Sequence, residues 1–257
     1  MSTIQADAPT PVSPTKPLHY RFSVLITAIP RFFRGIVPFA AVIVVNALIQ
    51  ALLVGAFNPQ PRWSAVFILT LATSFAALVG SFYIMNLTAL AVATGKPNLG
   101  SIFARSGSQW GKFVLWAVVV YLFVLIGLIL NTYVAFVVLL VFPFVTLAAA
   151  DDKKNPFAIN FRVIGGRAIR YIITALILGV ILILSNLFTS VNGFFVGGWQ
   201  GAIITWLYWG VYASWVLTAL ALIYRSTIAG ASAEDLSAVP TQAPSATDAQ
   251  APATPAE

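Results

Sequence analysis

Six long stretches of this chain carry no charged side chain. They cover residues 36–57, 63–92, 113–130, 133–150, 171–189 and 199–224. A helix of about 20 apolar residues crosses the hydrocarbon core of a bilayer. Each stretch therefore reads as one membrane span, the two shortest (113–130 and 133–150) close to the lower limit. Only Asn131-Thr132 separates those two, which predicts a tight hairpin. The apolar runs are continuous rather than alternating, which argues against a membrane β-barrel. The predicted fold is all-α, a polytopic transmembrane bundle of six spans occupying residues 18–225.

Composition agrees. Hydrophobic residues make up 60% of the chain and charged residues 8%, against about 45–50% and about 25% in soluble domains. So few charges cannot clothe a water-facing globule.

The counts also exclude chemistry. There is no Cys, which removes disulfides, thiol nucleophiles and Cys-based metal sites together. The one imidazole, His19, has no acid beside it and reads as a membrane-surface polar residue. Of the seven acids, only Asp151 and Asp152 lie in the apolar body. Adjacent in sequence, they make a poor general acid/base pair and supply too few oxygens for a divalent-metal cage. The expectation is a protein that is not an enzyme and has no cofactor or metal site.

The ends read differently. Residues 1–17 are rich in Pro, Ser, Thr and Ala without a basic leader segment, and are expected to be a disordered tail rather than a signal peptide. Residues 226–257 hold four prolines, four acids and no base, and are expected to be a second disordered tail. Residues 18–34 mix Arg21, Arg31 and Arg34 with Phe and Leu around Pro30, which suits an amphipathic segment in the headgroup layer.

Basic residues set the orientation. With a cytoplasmic N-terminus, six passes place Lys16, Arg21, Arg31 and Arg34 inside. Lys96, Arg105 and Lys112 follow in the first inside loop. Lys153, Lys154, Arg162, Arg167 and Arg170 occupy the second, and Arg225 follows the last span. Arg62 alone falls outside. This is the positive-inside pattern at every loop, and it places both termini in the cytoplasm. Anionic headgroups attract such residues by about 1 kcal/mol each. Arg105, Lys112, Arg162, Arg167 and Arg170 are the candidate headgroup contacts. The bilayer is the expected partner, with a protein partner or homo-oligomer beside it and no nucleic acid.

The two inside loops resemble each other. KPNLGSIFARSGSQWGKF begins at Lys96 and KNPFAINFRVIGGRAIRY at Lys154. The match pairs Phe103 with Phe161, Gly107 with Gly165 and Lys112 with Arg170. Each predicts a short interfacial helix feeding the next span through a glycine hinge.

The second loop carries a family resemblance. Pro143-Phe144, then DDKKNPFA from Asp151, then FRVIGG from Phe161 and a new apolar span form the pattern. It resembles the membrane domain attached to some bacterial glycerophosphodiester phosphodiesterases, and related stand-alone six-span membrane proteins. Members usually have Ser in the amphipathic segment where Asn160 stands here. The resemblance covers residues 90–190 and implies a membrane fold in a bacterial cytoplasmic membrane, not an activity.

Inside the spans, Asn46 and Gln50 share a helix face and Asn86 lies in the next span. Amides in lipid seek partners across helices. They read as interhelical glue, or alternatively as a polar groove. Small residues recur at spacing four, as Ala72, Ala76 and Gly80, and as Gly210, Ser214 and Thr218. Both stripes suit close helix contacts, within the bundle or between protomers. The last span is crowded with Trp206, Tyr208, Trp209, Tyr212 and Trp215, which suits core packing or an aromatic-lined cavity for an apolar ligand. Pro38 falls in a first helical turn and is harmless. Pro143 removes the bond to the Leu139 carbonyl and predicts a kink.

The functional expectation is a non-catalytic integral membrane protein that binds lipid or a partner through a basic cytoplasmic face. The alternative is a transport component, either a small permease or the membrane subunit of an exporter. Because the chain lacks Cys, single engineered thiols at Asn131 and Asn155 report the topology. Six passes require them to react from opposite sides of a sealed vesicle, and reactivity from one side only refutes the map.

Overall fold

The computed structural model describes residues 23–57, 64–95, 97, 99–166 and 168–237, which include no β-strand. Nine helices form among them: α1 (Val24–Arg34), α2 (Ile36–Phe57), α3 (Ala65–Thr94), α4 (Leu99–Leu130), α5 (Thr132–Val141), α6 (Val145–Ala150), α7 (Pro156–Gly165), α8 (Ala168–Phe195) and α9 (Gly198–Ser237). Helices are the expected answer, since backbone groups in hydrocarbon have no water to bond and must pair within their own segment. Five of them are long and apolar enough to cross a membrane, on α2, α3, α4, α8 and α9. The outer faces are apolar: Leu52, Leu69, Leu115, Leu130, Leu176 and Leu184 are all exposed. Residues 1–17, Arg62 and residues 238–257 lie outside the described segments.

The expected fourth span, 133–150, is not one helix. α5 has ten residues and α6 has six, with a break across residues 142–144. Pro143 was expected to kink the helix, and here the helix stops and restarts. The break leaves backbone groups that neighbouring side chains recover. Asn160 of α7, fully buried, accepts from the Phe144 N–H at 3.0 Å and donates to the Val141 carbonyl at 3.0 Å. The Tyr171 hydroxyl of α8 donates to the Leu140 carbonyl. The freed groups thus bind α7 and α8 to the break.

Together α5 and α6 still run back along α4. At one end of α4, the close approach of Gly127 leaves no room for a side chain, since an added Cβ would sit 2.8 Å from the Ala135 backbone. Asn131 caps the turn, its side chain accepting from the Tyr133 N–H at 2.8 Å. At the other end, Lys112 meets Asp152, just past α6. Residues 112–127 of α4 rise about 22 Å, and the broken pair runs back along that length of α4.

Three other points differ from expectation. α4 is continuous from Leu99, so no hinge forms at Gly107 or Gly111. An isolated glycine costs a helix about 1 kcal/mol but does not break it. The adjacent Gly165-Gly166 does coincide with a helix end, after α7. The two loops therefore fold differently. α7 is also more than a surface helix: it buries Pro156, Asn160 and Val163, and its Phe157 ring lies 5.1 Å from Trp116 and 5.2 Å from Phe142. Finally, α9 continues to Ser237, so residues 226–237, expected as tail, are helical.

α9 is the central helix. Gly210 sits against Ile43 of α2, where an added Cβ would lie 2.6 Å from a side-chain carbon. Ser214 and Thr218 on the same stripe are fully buried. The other stripe differs: Ala72 and Ala76 are exposed. α1 lays Ala28 and Phe32 inward, Ala28 in a cluster with Ala219 and Leu222, and Trp215 donates to the Leu25 carbonyl at 3.1 Å. Ile26, Ile29 and Phe33 of α1 face outward.

The clamp at the break is the feature to test. Asn160→Ala orphans the buried Phe144 N–H, worth about 1–3 kcal/mol, and releases the Val141 carbonyl as well. Thermal unfolding in detergent should show a large loss of stability. Asn155→Ala, at an exposed cap, should cost only about 1 kcal/mol.

Candidate functional site

Helix packing gathers one end of the bundle. Gly35 at the start of α2 lies against Val92 near the end of α3. Leu90, Ile102, Ala150, Asp151 and Arg225 share the wall of one cavity of about 360 Å³, so the ends of α3 and α6 and the Arg225 turn of α9 meet the start of α4. At the opposite end, Gly55 meets Trp199 and Gly127 meets Ala135. Among the described residues, the cations Arg31, Arg34, Lys112, Lys153, Lys154, Arg162, Arg170 and Arg225 all belong to the first end.

Asp151 is the centre of that end. It ends α6, and the next residue, Asp152, takes the left-handed conformation at φ 58°. Lys153 N–H donates to the Ala148 carbonyl and Asp152 N–H to Ala149, a Schellman cap with Asp in the place glycine usually takes. The cap turns the Asp151 carboxylate toward α9. There it accepts from Arg225 through two nitrogens at 2.7 and 3.3 Å, and from the Tyr224 hydroxyl at 3.0 Å. Lys153 approaches at 3.4 Å. Asp152 pairs with Lys112 at 3.0 Å in a more exposed position.

Both carboxylates are therefore engaged by cations of the chain itself. With its oxygens on Arg225, Tyr224 and Lys153, Asp151 is arranged as a structural anchor rather than as a proton acceptor or metal ligand. No ion pair forms to Arg31, Arg34, Lys154 or Arg162 among the described residues. Arg34, Lys154 and Arg162 are exposed. Phe33 beside Arg34 is 61% exposed and Phe161 beside Arg162 is 52% exposed, so apolar rings flank the free charges.

The expected headgroup contacts divide. Lys112 is committed to Asp152. Arg162 is exposed on α7 and Arg170 exposed on the first turn of α8. Arg105 lies in α4 with its side chain outside the description, and Arg167 lies outside the described residues. The Asp151–Arg225–Tyr224 anchor was not singled out from sequence. Its signal was there: a body with two acids must spend them where cations converge.

The in-membrane amides divide as well. Gln50 Nε2 reaches Asn46 Oδ1 at 3.5 Å and the Ser74 carbonyl at 3.3 Å, while the Ser74 hydroxyl donates to Gln50 Oε1 at 2.7 Å. That is an interhelical bond of α2 to α3. Asn86 is not part of it. The antiparallel contacts Gly35–Val92 and Gln50–Ser74 place Asn86 at the depth of residues 39–40 of α2, about 15 Å from Gln50. Asn86 Nδ2 donates to Phe82 of its own helix, and its buried Oδ1 has no partner. The Ile43–Gly210 contact puts Ser214 at the same depth, and its buried hydroxyl oxygen also has no partner.

Compared with protein-family models, with curated proteins and with solved structures, the chain finds no match.

Removing the anchor should loosen α9 from α6. Asp151 is 15% exposed and Arg225 29% exposed, so Asp151→Ala is expected to cost about 1–3 kcal/mol, below the cost of breaking a fully buried pair. Lys112→Ala, facing an acid 60% exposed, should cost under about 1 kcal/mol. Paired melting curves in detergent check the order.

Proposed function

We propose that this chain is a non-catalytic, six-pass protein of a bacterial cytoplasmic membrane, with both termini in the cytoplasm, whose basic end binds anionic lipid headgroups. One observation carries the reading. The two acids of the basic end are neutralised within the chain, and Arg34, Lys154 and Arg162 stay exposed beside outward-facing Phe33 and Phe161. Cations flanked by apolar rings suit the headgroup layer, where charge meets phosphate and rings enter the acyl boundary.

Five long apolar helices plus the return of α5 and α6 along α4 support the pass count. With six passes, the gathered cations share one side, as the positive-inside rule requires. α1, with Arg31 and Arg34 near its C-terminus and Ile26 and Ile29 outward, suits an in-plane helix at that surface. The likeness of residues 143–166 to the phosphodiesterase-associated membrane domain agrees with a membrane fold that carries no reaction of its own.

A second reading has its own support. A helix interrupted at mid-membrane is how many transporters line a site, and the break at Pro143 favours a transport component. The exposed Ala72–Ala76 stripe offers a contact for a second copy or a protein partner in either case.

The test is lipid retention. The full chain, reconstituted in nanodiscs of equal phosphatidylglycerol and phosphatidylcholine, is released and its bound lipids weighed by native mass spectrometry. Phosphatidylglycerol should be enriched. Each surface cation contributes about 1 kcal/mol, roughly fivefold in binding, so combining Arg34→Gln, Lys154→Gln and Arg162→Gln should abolish the enrichment. Equal retention of both lipids by the unmodified chain overturns the reading.

A further inference from the structure

The break at Pro143 does more than bend the chain. It opens a cavity of about 240 Å³ between the break, α8 and α9, with α3 and α4 behind it. Leu139, Leu140, Phe142 and Pro143 form one wall, and Leu178, Trp209, Ala213 and Val216 form much of the other. Residues 139–143 lie about 12–18 Å along the chain from the turn at Asn131. In a hydrocarbon core about 30 Å thick, that is mid-depth.

The walls offer almost nothing to a polar guest. The Tyr171 hydroxyl is bonded to the Leu140 carbonyl, and the Tyr212 hydroxyl points to the Leu178 carbonyl at 3.5 Å. Thr146 adds one hydroxyl to the wall. A buried water needs two to four polar partners, and an apolar engineered cavity of about 150 Å³ stays dry and takes benzene. This cavity is larger and its wall is mostly apolar, so its natural content is hydrocarbon.

The source of hydrocarbon is next to it. Leu139 belongs to the cavity wall and is also 42% exposed on the outer surface of α5. Leu176, Ile177 and Val180 of α8 are exposed in turn. In a membrane these faces touch acyl chains.

We propose that this cavity is a binding site for one acyl chain of a bilayer phospholipid, inserted beside Leu139 against Trp209 and Ala213. The chain fills the space the helix break leaves and keeps α8 packed against α5 and α9. The site goes beyond the headgroup reading and stands without it, because its walls are apolar whatever lies at the basic end.

The experiment uses the full chain in nanodiscs containing a phosphatidylcholine with a diazirine at the tip of one acyl chain. After illumination, labelled residues are mapped by mass spectrometry. Labels are expected on the wall, at Trp209 and Ala213, as well as on the outward Leu139, Leu176 and Leu184. Ala213→Phe fills the cavity and should abolish wall labelling while leaving the outward labels unchanged. Val216→Phe serves if the first variant is not monodisperse. An unlabelled wall beside a labelled α8 exterior overturns the proposal, as does wall labelling that survives filling. So does wall labelling by a diazirine fatty acid but not by the phospholipid. A loss of headgroup preference in the retention assay leaves this result untouched, so the two readings fail separately.

Discussion

Hydrocarbon offers no hydrogen bonds, and the whole arrangement answers that constraint. An unbroken helix satisfies it alone. A helix interrupted at Pro143 does not, and the chain solves the problem with two side chains. Asn160 bridges both sides of the gap, and Tyr171 takes the Leu140 carbonyl. These bonds determine where α7 and the start of α8 must lie. Without them the break would expose backbone to lipid, and α7 would have no reason to bury an amide completely.

The anchor at the basic end works by the same scarcity. Asp151 and Asp152 are the only acids between residues 18 and 225. Asp151 joins the end of α6 to α9 through Arg225 and Tyr224, and Asp152 joins the same turn to α4 through Lys112. A short loop thereby links three helices that are distant in sequence. The cost is a left-handed Asp152, a conformation that Asp tolerates better than most residues. With the acids so used, Arg34, Lys154 and Arg162 stay exposed, which is what gives that end its character.

Much was legible in advance. Lipid as solvent, the limits of α2 at residues 36–57 and the hairpin at Asn131 all followed from uncharged runs and turn residues. The gathering of cations followed from counting passes. What escaped is instructive. The fourth run reads as one span kinked at Pro143, and apolarity throughout does not say whether a proline bends a helix or ends it. The loop likeness suggested matching hinges, but a single glycine leaves α4 intact whereas a pair coincides with the end of α7. Asn46, Gln50 and Asn86 looked like one group, yet helix register separates Asn86 from Asn46 by about two turns and from Gln50 by about three.

The sequence by itself determined the apolar surroundings, the helical class and the gathering of charge at one end. These depend on local composition and on transfer energies that each residue carries alone. Only the tertiary structure decided what Asn160 bonds, which cation Asp151 keeps, and that a break in one helix becomes a cavity walled by two others. Those are pairings between side chains far apart in the chain, and helix register and rotation, which composition does not encode, select them.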